Sequence, residues 1–118
     1  MNPAFDDPPF VPHMDLLVSG SGDLIMKVDL SGIRSADVEI TIEGNKVRIR
    51  GKRLDADAEH ARKLLIKEIP VGAFEGILEI PSGFAMSAAI SAYHNGVLRI
   101  TVPPQQRPSG RAPAFNPN

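Results

Sequence analysis

Residues 92–104 read "AYHNGVLRITVPP", and the fold turns on how this stretch is read. Asn95-Gly96 is the residue pair best suited to a type I′ turn, because both tolerate the positive φ that its two central positions require. Val97 to Val102 follow as one strand, and Pro103-Pro104, which cannot donate to a ladder, end it. The preceding "AAISAYH" (88–94) reads as the other arm of a hairpin. No catalytic group sits in it.

The same grammar repeats upstream. In "VEITIEGNKVRIRGKR" (38–53), Val38, Ile40 and Ile42 alternate with Glu39, Thr41 and Glu43. Val47 and Ile49 alternate with Lys46, Arg48 and Arg50 across Gly44-Asn45, two residues that both accept positive φ. Acids on one strand face bases on the other, so opposite-charge pairs help set the register. "LIMKVDL" (24–30) alternates with the same period, "DLLV" (15–18) is a short strand, and "AFEGILEIP" (73–81) puts Phe74, Leu78 and Ile80 on one face. "SGIRSAD" (31–37) is a loop with room for one helical turn. Seven or eight short strands at close spacing predict an all-β sandwich.

Residues 53–69, "RLDADAEHARKLLIKEI", are locally ambiguous. Asp55 can cap a helix and Glu59 and Lys63 are four apart, yet "KLLIKEI" also reads as a strand. Residues 1–13 hold four prolines and two acids and read as a short flexible arm with Phe5 and Phe10 as its sticky points. Residues 14–103 form the domain, and residues 104–118 read as a disordered tail.

A chain of 118 residues, 42% hydrophobic and 23% charged, suits one globular domain. Thirteen basic and fourteen acidic residues nearly cancel, which gives no electrostatic footprint for nucleic acid or an anionic membrane. The basic run Lys46, Arg48, Arg50, Lys52, Arg53 faces Glu39 and Glu43, and a single Tyr with no Trp offers little to stack bases. No cysteine is present, so disulfides and thiolate sites are excluded and a reducing, cytoplasmic setting is expected. The N-terminus carries neither a basic start nor an apolar run, and no apolar run is long enough to span a bilayer. His13, His60 and His94 fall in the arm, the middle segment and a turn, where they read as surface residues rather than metal ligands. There is no G-x-S-x-G elbow and no phosphate loop. No enzyme activity, cofactor, metal or small-molecule substrate is expected. Apolar sheet edges that could pair with other chains remain as the functional surface.

Together these motifs resemble the small heat-shock proteins, in their alpha-crystallin domain. "AYHNGVLRITVPP" is similar to A-x-x-x-N-G-V-L-x-(I/V)-x-(V/x)-P, with Ser91 at its first position. Residues 28–53 are similar to D-L-P-G…G-x-R with Ser31 in place of Pro, and "EIPVGAFEGILEIP" (68–81) is similar to E-x-x-x-G-x-F-x-R-x-F-x-L-P with Gly76 in place of Arg. The resemblance implies an immunoglobulin-like β-sandwich and an ATP-independent holdase that binds unfolding client proteins and itself. It places "RKLLIKEI" in a strand exchanged between two subunits, so that Leu64, Leu65, Ile66 and Glu68 meet the partner's first strand around Met14, Leu16 and Val18. It also places a groove for a partner's tail on Ile40, Ile42, Ala89 and Ser91, whereas simple alternation would turn Ile90 and Ala92 inward. The short arm and a tail without I-x-I/V imply a homodimer or small oligomer, and the alternative is an adaptor or co-chaperone module that co-assembles with a longer relative.

Overall fold

The structure, a computed structural model, describes residues 8–105. Its elements are β1 (Met14–Val18), β2 (Leu24–Asp29), β3 (Val38–Glu43), β4 (Lys46–Arg53), the single-turn helix α1 (Ala56–Glu59), β5 (Gly72–Glu79), β6 (Ile90–His94) and β7 (Val97–Val102), with 3-10 turns at Ser35–Asp37 and Met86–Ala88. The strands form two antiparallel sheets, β1-β2-β7-β6 and β3-β4-β5, which pack as an all-β sandwich.

The period-two pattern places the core. Met26 pairs with Ile100 and Val28 with Leu98, all four buried. From the other sheet Val47, Ile49 and Phe74 are buried against them, and Leu30, Ile33 and Ile80 close the layer from the loops. Each such side chain contributes about 1.5–3 kcal/mol on burial. One backbone approach is tighter than a side chain allows. A Cβ on Gly51 would strike the Asp37 carbonyl oxygen and lie 2.7 Å from the tip of the Phe74 ring. Gly51 therefore lets β4 run directly beneath the largest core side chain.

Both hairpins form in the expected register, with Ile40 opposite Ile49 and Tyr93 opposite Leu98. Asn95 and Gly96 have φ of 52° and 78°, the two positive values of a type I′ turn. In the other hairpin only Gly44 (φ 61°) is left-handed. Positive φ at the first central position alone is the type II′ pattern, and Asn45 instead ties the turn to the end of β5, accepting from the Ile80 amide at 2.7 Å. The charge pairing across the outer face is direct, since Arg50 Nε donates to Glu39 at 2.8 Å.

Two regions differ from simple local expectation. The helix signal after Arg53 yields only α1, whose cap is Asp55 accepting from the Ala58 amide at 3.2 Å. Residues 61–71 are neither helix nor strand and are exposed almost throughout. One turn is far below the length at which propensity alone sustains a helix, and none of its residues is buried. At the N-terminus, Phe10 is tied down. Its amide donates to Ala73 O at 3.0 Å, its carbonyl accepts from Glu75 at 2.9 Å, and its ring lies 5.7 Å from that of Phe74. Pro12 is buried, and the His13 carbonyl accepts from Asp29. The last part of the expected arm thus lies along the edge of β5, because an extended X-Pro segment exposes carbonyls that an edge strand can use. Pro104 bridges Phe84 and the Gln105 amide donates to Gly83 O at 2.8 Å, while residues 106–118 of the expected tail, with residues 1–7, lie outside the described residues.

Gly51→Ala should lower unfolding free energy by about 2 kcal/mol, since the added methyl has backbone on one side and a core ring on the other. Urea denaturation measures it, and a loss below about 0.5 kcal/mol would show that β4 has more room than described.

Candidate functional site

The first exposed edge lies between β3 and β6. Ile40 and Ile42 pair with Ile49 and Val47, both fully buried, so all four point to the interior of the sandwich. Ile40 and Ile42 nevertheless remain 37% and 47% exposed. The reason lies across the layer. Ser91 and Tyr93 pair with the buried Ile100 and Leu98 and so face inward with them. Ala89 packs partly buried beside them. Ala89 and Ser91 are too small to reach β3, and a furrow of about 160 Å³ stays open, lined by Val38, Ile40, Ser91, Tyr93 and Leu98 among others. Ile90 and Ala92 belong to the opposite face, with Ile90 71% exposed. Apolar alternation alone would have reversed the strand, because alanine and serine carry almost no hydrophobic signal. Of the groove residues expected from the sequence, Ile40 and Ser91 meet in this furrow. Ile42, the next inward-facing residue of β3, and Ala89, just before β6, are not part of its lining. Tyr93, which forms part of its lining, was not anticipated; its pairing with Leu98 follows from the Asn-Gly turn and could have revealed it.

The second edge is β1. Leu16 pairs with Met26 and Val18 with Leu24, so both face inward, yet they are 39% and 59% exposed. Among the described residues β1 has one neighbouring strand, β2, and its other rim is open. Met14 is better covered: its sulfur would lie 2.9 Å from a Cβ on Gly76. That contact explains why a glycine stands where a longer residue was expected. Leu64, Leu65 and Ile66 stand outside any strand in the exposed 61–71 segment, at 54%, 83% and 78% exposure. Among the described residues Glu68 makes no ion pair, and it lines a cavity of about 380 Å³ together with His13, Asp29 and Arg53.

His13, His60 and His94 lie apart, and among the described residues no group of three His, Cys, Asp or Glu could hold a metal ion. The basic run is divided: Arg50 pairs with Glu39, Arg48 lies 3.4 Å from Glu75, and Arg53 turns to the other side of the sheet. No helix of the described residues is long and apolar enough to cross a membrane.

A sequence model of the Hsp20/alpha crystallin family matches residues 18–114, most of the chain, including the β3–β6 edge and the 61–71 segment. The chain belongs to that family. It is 26% identical to small heat shock protein C2 of Rickettsia felis over 82% of this chain and 62% of that one. It is 30% identical to spore protein SP21 of Stigmatella aurantiaca over 81% of this chain and 56% of that one. The chain thus spans less than two thirds of the length of these relatives. Among solved structures, hspA from Xanthomonas axonopodis superimposes with a TM-score of 0.73 at 23% identity, covering 83% of this chain and 97% of that one. A small heat-shock protein from Xylella fastidiosa gives 0.74 at 22%, covering 84% and 90%.

This Hsp20 family member carries Ser31 where the resemblance led us to expect proline, and the serine has a partner. Its amide and hydroxyl both donate to Asp29 Oδ1, at 3.1 and 2.8 Å. The hydroxyl bond first, then the amide bond, hold the Asp29 carboxyl below the ordinary carboxylate value, with Arg53 and His13 adding to them. The same loop is tied to the furrow, because Tyr93 Oη donates to Leu30 O at 2.9 Å and to Ile33 O. Burial raises the Tyr93 phenol, which stays a donor at neutral pH.

A depressed carboxylate pKa contributes stability that is present above the unfolded value and is lost as pH falls through the folded one. Ser31→Ala should therefore bring the Asp29 carboxyl up toward its ordinary value of 3.8. The wild type should be the more stable of the two at pH 7, and the gap should shrink below about pH 4. An NMR titration of the Asp29 carboxyl tests this, and an unmoved midpoint would show that Ser31 does not hold the carboxylate.

Proposed function

We propose that this protein is an ATP-independent holdase, which binds unfolding proteins and prevents their aggregation while acting as a dimer or small oligomer. The single observation that carries the reading is that inward-facing apolar residues stay exposed at both edges of the sandwich: Ile40 and Ile42 beside β6, Leu16 and Val18 on β1. Unfolding clients present apolar side chains and unpaired strands, which is what such edges accept. Binding of this kind forms and breaks no covalent bond. The lack of cysteine throughout the chain fits work in a reducing compartment, the cytoplasm.

In the dimer, the strand of Leu64, Leu65 and Ile66 with Glu68 lies along the open rim of a second copy's first strand, covering that copy's Leu16 and Val18. Magnitudes favour a reciprocal exchange. Three large apolar side chains at about 1.5–3 kcal/mol each barely match an association cost of about 4–15 kcal/mol, whereas two such sets exceed most of it. Family membership, with a match that spans the β3–β6 edge and the 61–71 segment, supports the exchange, and that segment, which forms no strand within its own chain, supplies the strand.

At several-fold excess and without ATP, the protein should suppress the light scattering of a heat-labile enzyme. Ile40→Asp combined with Ile42→Asp should weaken that suppression several-fold. An inert wild type at that excess removes the holdase reading. Leu65→Asp should convert a dimer to single subunits in sedimentation equilibrium, and an unchanged mass would remove the exchanged strand.

A further inference from the structure

We infer that Arg53 is the positioning residue for the exchanged strand: it anchors the foot of the 54–71 segment to its own subunit and so aims Leu64 to Ile66 at a second copy of this chain. The inference rests on the exchanged-strand dimer proposed above. Arg53 is the last residue of β4, half-buried, and its backbone pairs with Gly72 in the final rung of the β4–β5 ladder. The segment thus leaves and re-enters the sheet at adjacent points.

Beyond that rung the ladder cannot continue by backbone alone, because Pro70 has no N–H to donate. The Arg53 side chain supplies the next link. Its Nη1 donates to the Pro70 carbonyl at 3.3 Å, Nε donates to the Ser31 carbonyl at 3.1 Å, and the guanidinium carbon stands 5.1 Å from the centre of the Phe10 ring. The arm, the β2–β3 loop and the returning end of the segment therefore meet on one cation. Without it, Gly72 keeps its rung with the Arg53 backbone, but among the described residues Pro70 and Val71 have no other hydrogen bond, and Gly72 sits at φ 98°, where glycine turns freely. A foot held in place reduces the conformational freedom that the segment loses when it docks, and raises its effective concentration at the acceptor. Arginine is required over lysine, since two carbonyls and a ring face need a planar fork rather than a point charge.

The test is sedimentation equilibrium on the full chain at room temperature, with circular dichroism confirming that each variant is folded. Arg53→Met keeps the apolar stem and removes both donors; Arg53→Lys keeps the charge and serves if the first does not fold. Each should raise the dimer dissociation constant about tenfold. A change in fold stability alone does not move this constant while the subunits remain folded. An unchanged constant in a dimeric wild type overturns the inference and leaves the exchanged strand standing. A wild type that stays a single subunit at every concentration overturns both.

Discussion

Everything on the surface of this sandwich follows from one mismatch: a sheet of three strands packs against a sheet of four. With strands about 4.8 Å apart, the smaller sheet is narrower by roughly that width and cannot cover both rims of the larger one. The two rims solve this differently. At β1 the opposing sheet stops at β5. The arm adds one bridge through Phe10, Met14 settles over Gly76, and Leu16 and Val18 are left beyond the cover. At β6 a strand does stand opposite β3, but its Ser91 is too short to fill the gap, Ile40 lines an open furrow, and Ile42 further along β3 stays exposed. Missing strand and missing side chains produce the same result, apolar surface aimed inward with nothing upon it.

The loop between β2 and β3 holds these edges in register with each other. Tyr93, from the furrow strand, grips the Leu30 and Ile33 carbonyls; Ser31 is held by Asp29; and Arg53 reaches the Ser31 carbonyl from the far end of β4. Tyr93 and Arg53 donate to backbone carbonyls and Ser31 donates to the Asp29 carboxylate; the bonds of Arg53 and Asp29 involve charged groups, which are worth more than neutral ones. The loop is therefore an ordered junction rather than a slack connection. It also accounts for a serine where proline was expected, since proline would supply neither the amide nor the hydroxyl that Asp29 accepts.

Much of this was legible in the order of residues. Alternation in 24–30, 38–53 and 97–102 placed the strands, because a side-chain period of two has only one reading once one face is buried. Asn95-Gly96 specified its turn because few residue pairs tolerate two positive φ values. The orientation of β6 was not legible from apolar pattern, since Ala89, Ser91 and Ala92 differ little in hydrophobicity, and Ile90, the one strong signal, lies on the outer face. The pairing of Phe10 with β5 was equally hidden: it uses backbone groups, which every residue carries, so no residue type announces it.

Local periodicity and turn chemistry were enough to set the pairing of the two hairpins and most of the core, because both are written in neighbouring residues. Only the tertiary structure decided which inward-facing residues stay uncovered, why Gly51 and Gly76 stand where they do, and how Arg53 gathers three distant segments. Those outcomes depend on what lies across the layer, and distance through space is not written in distance along the chain.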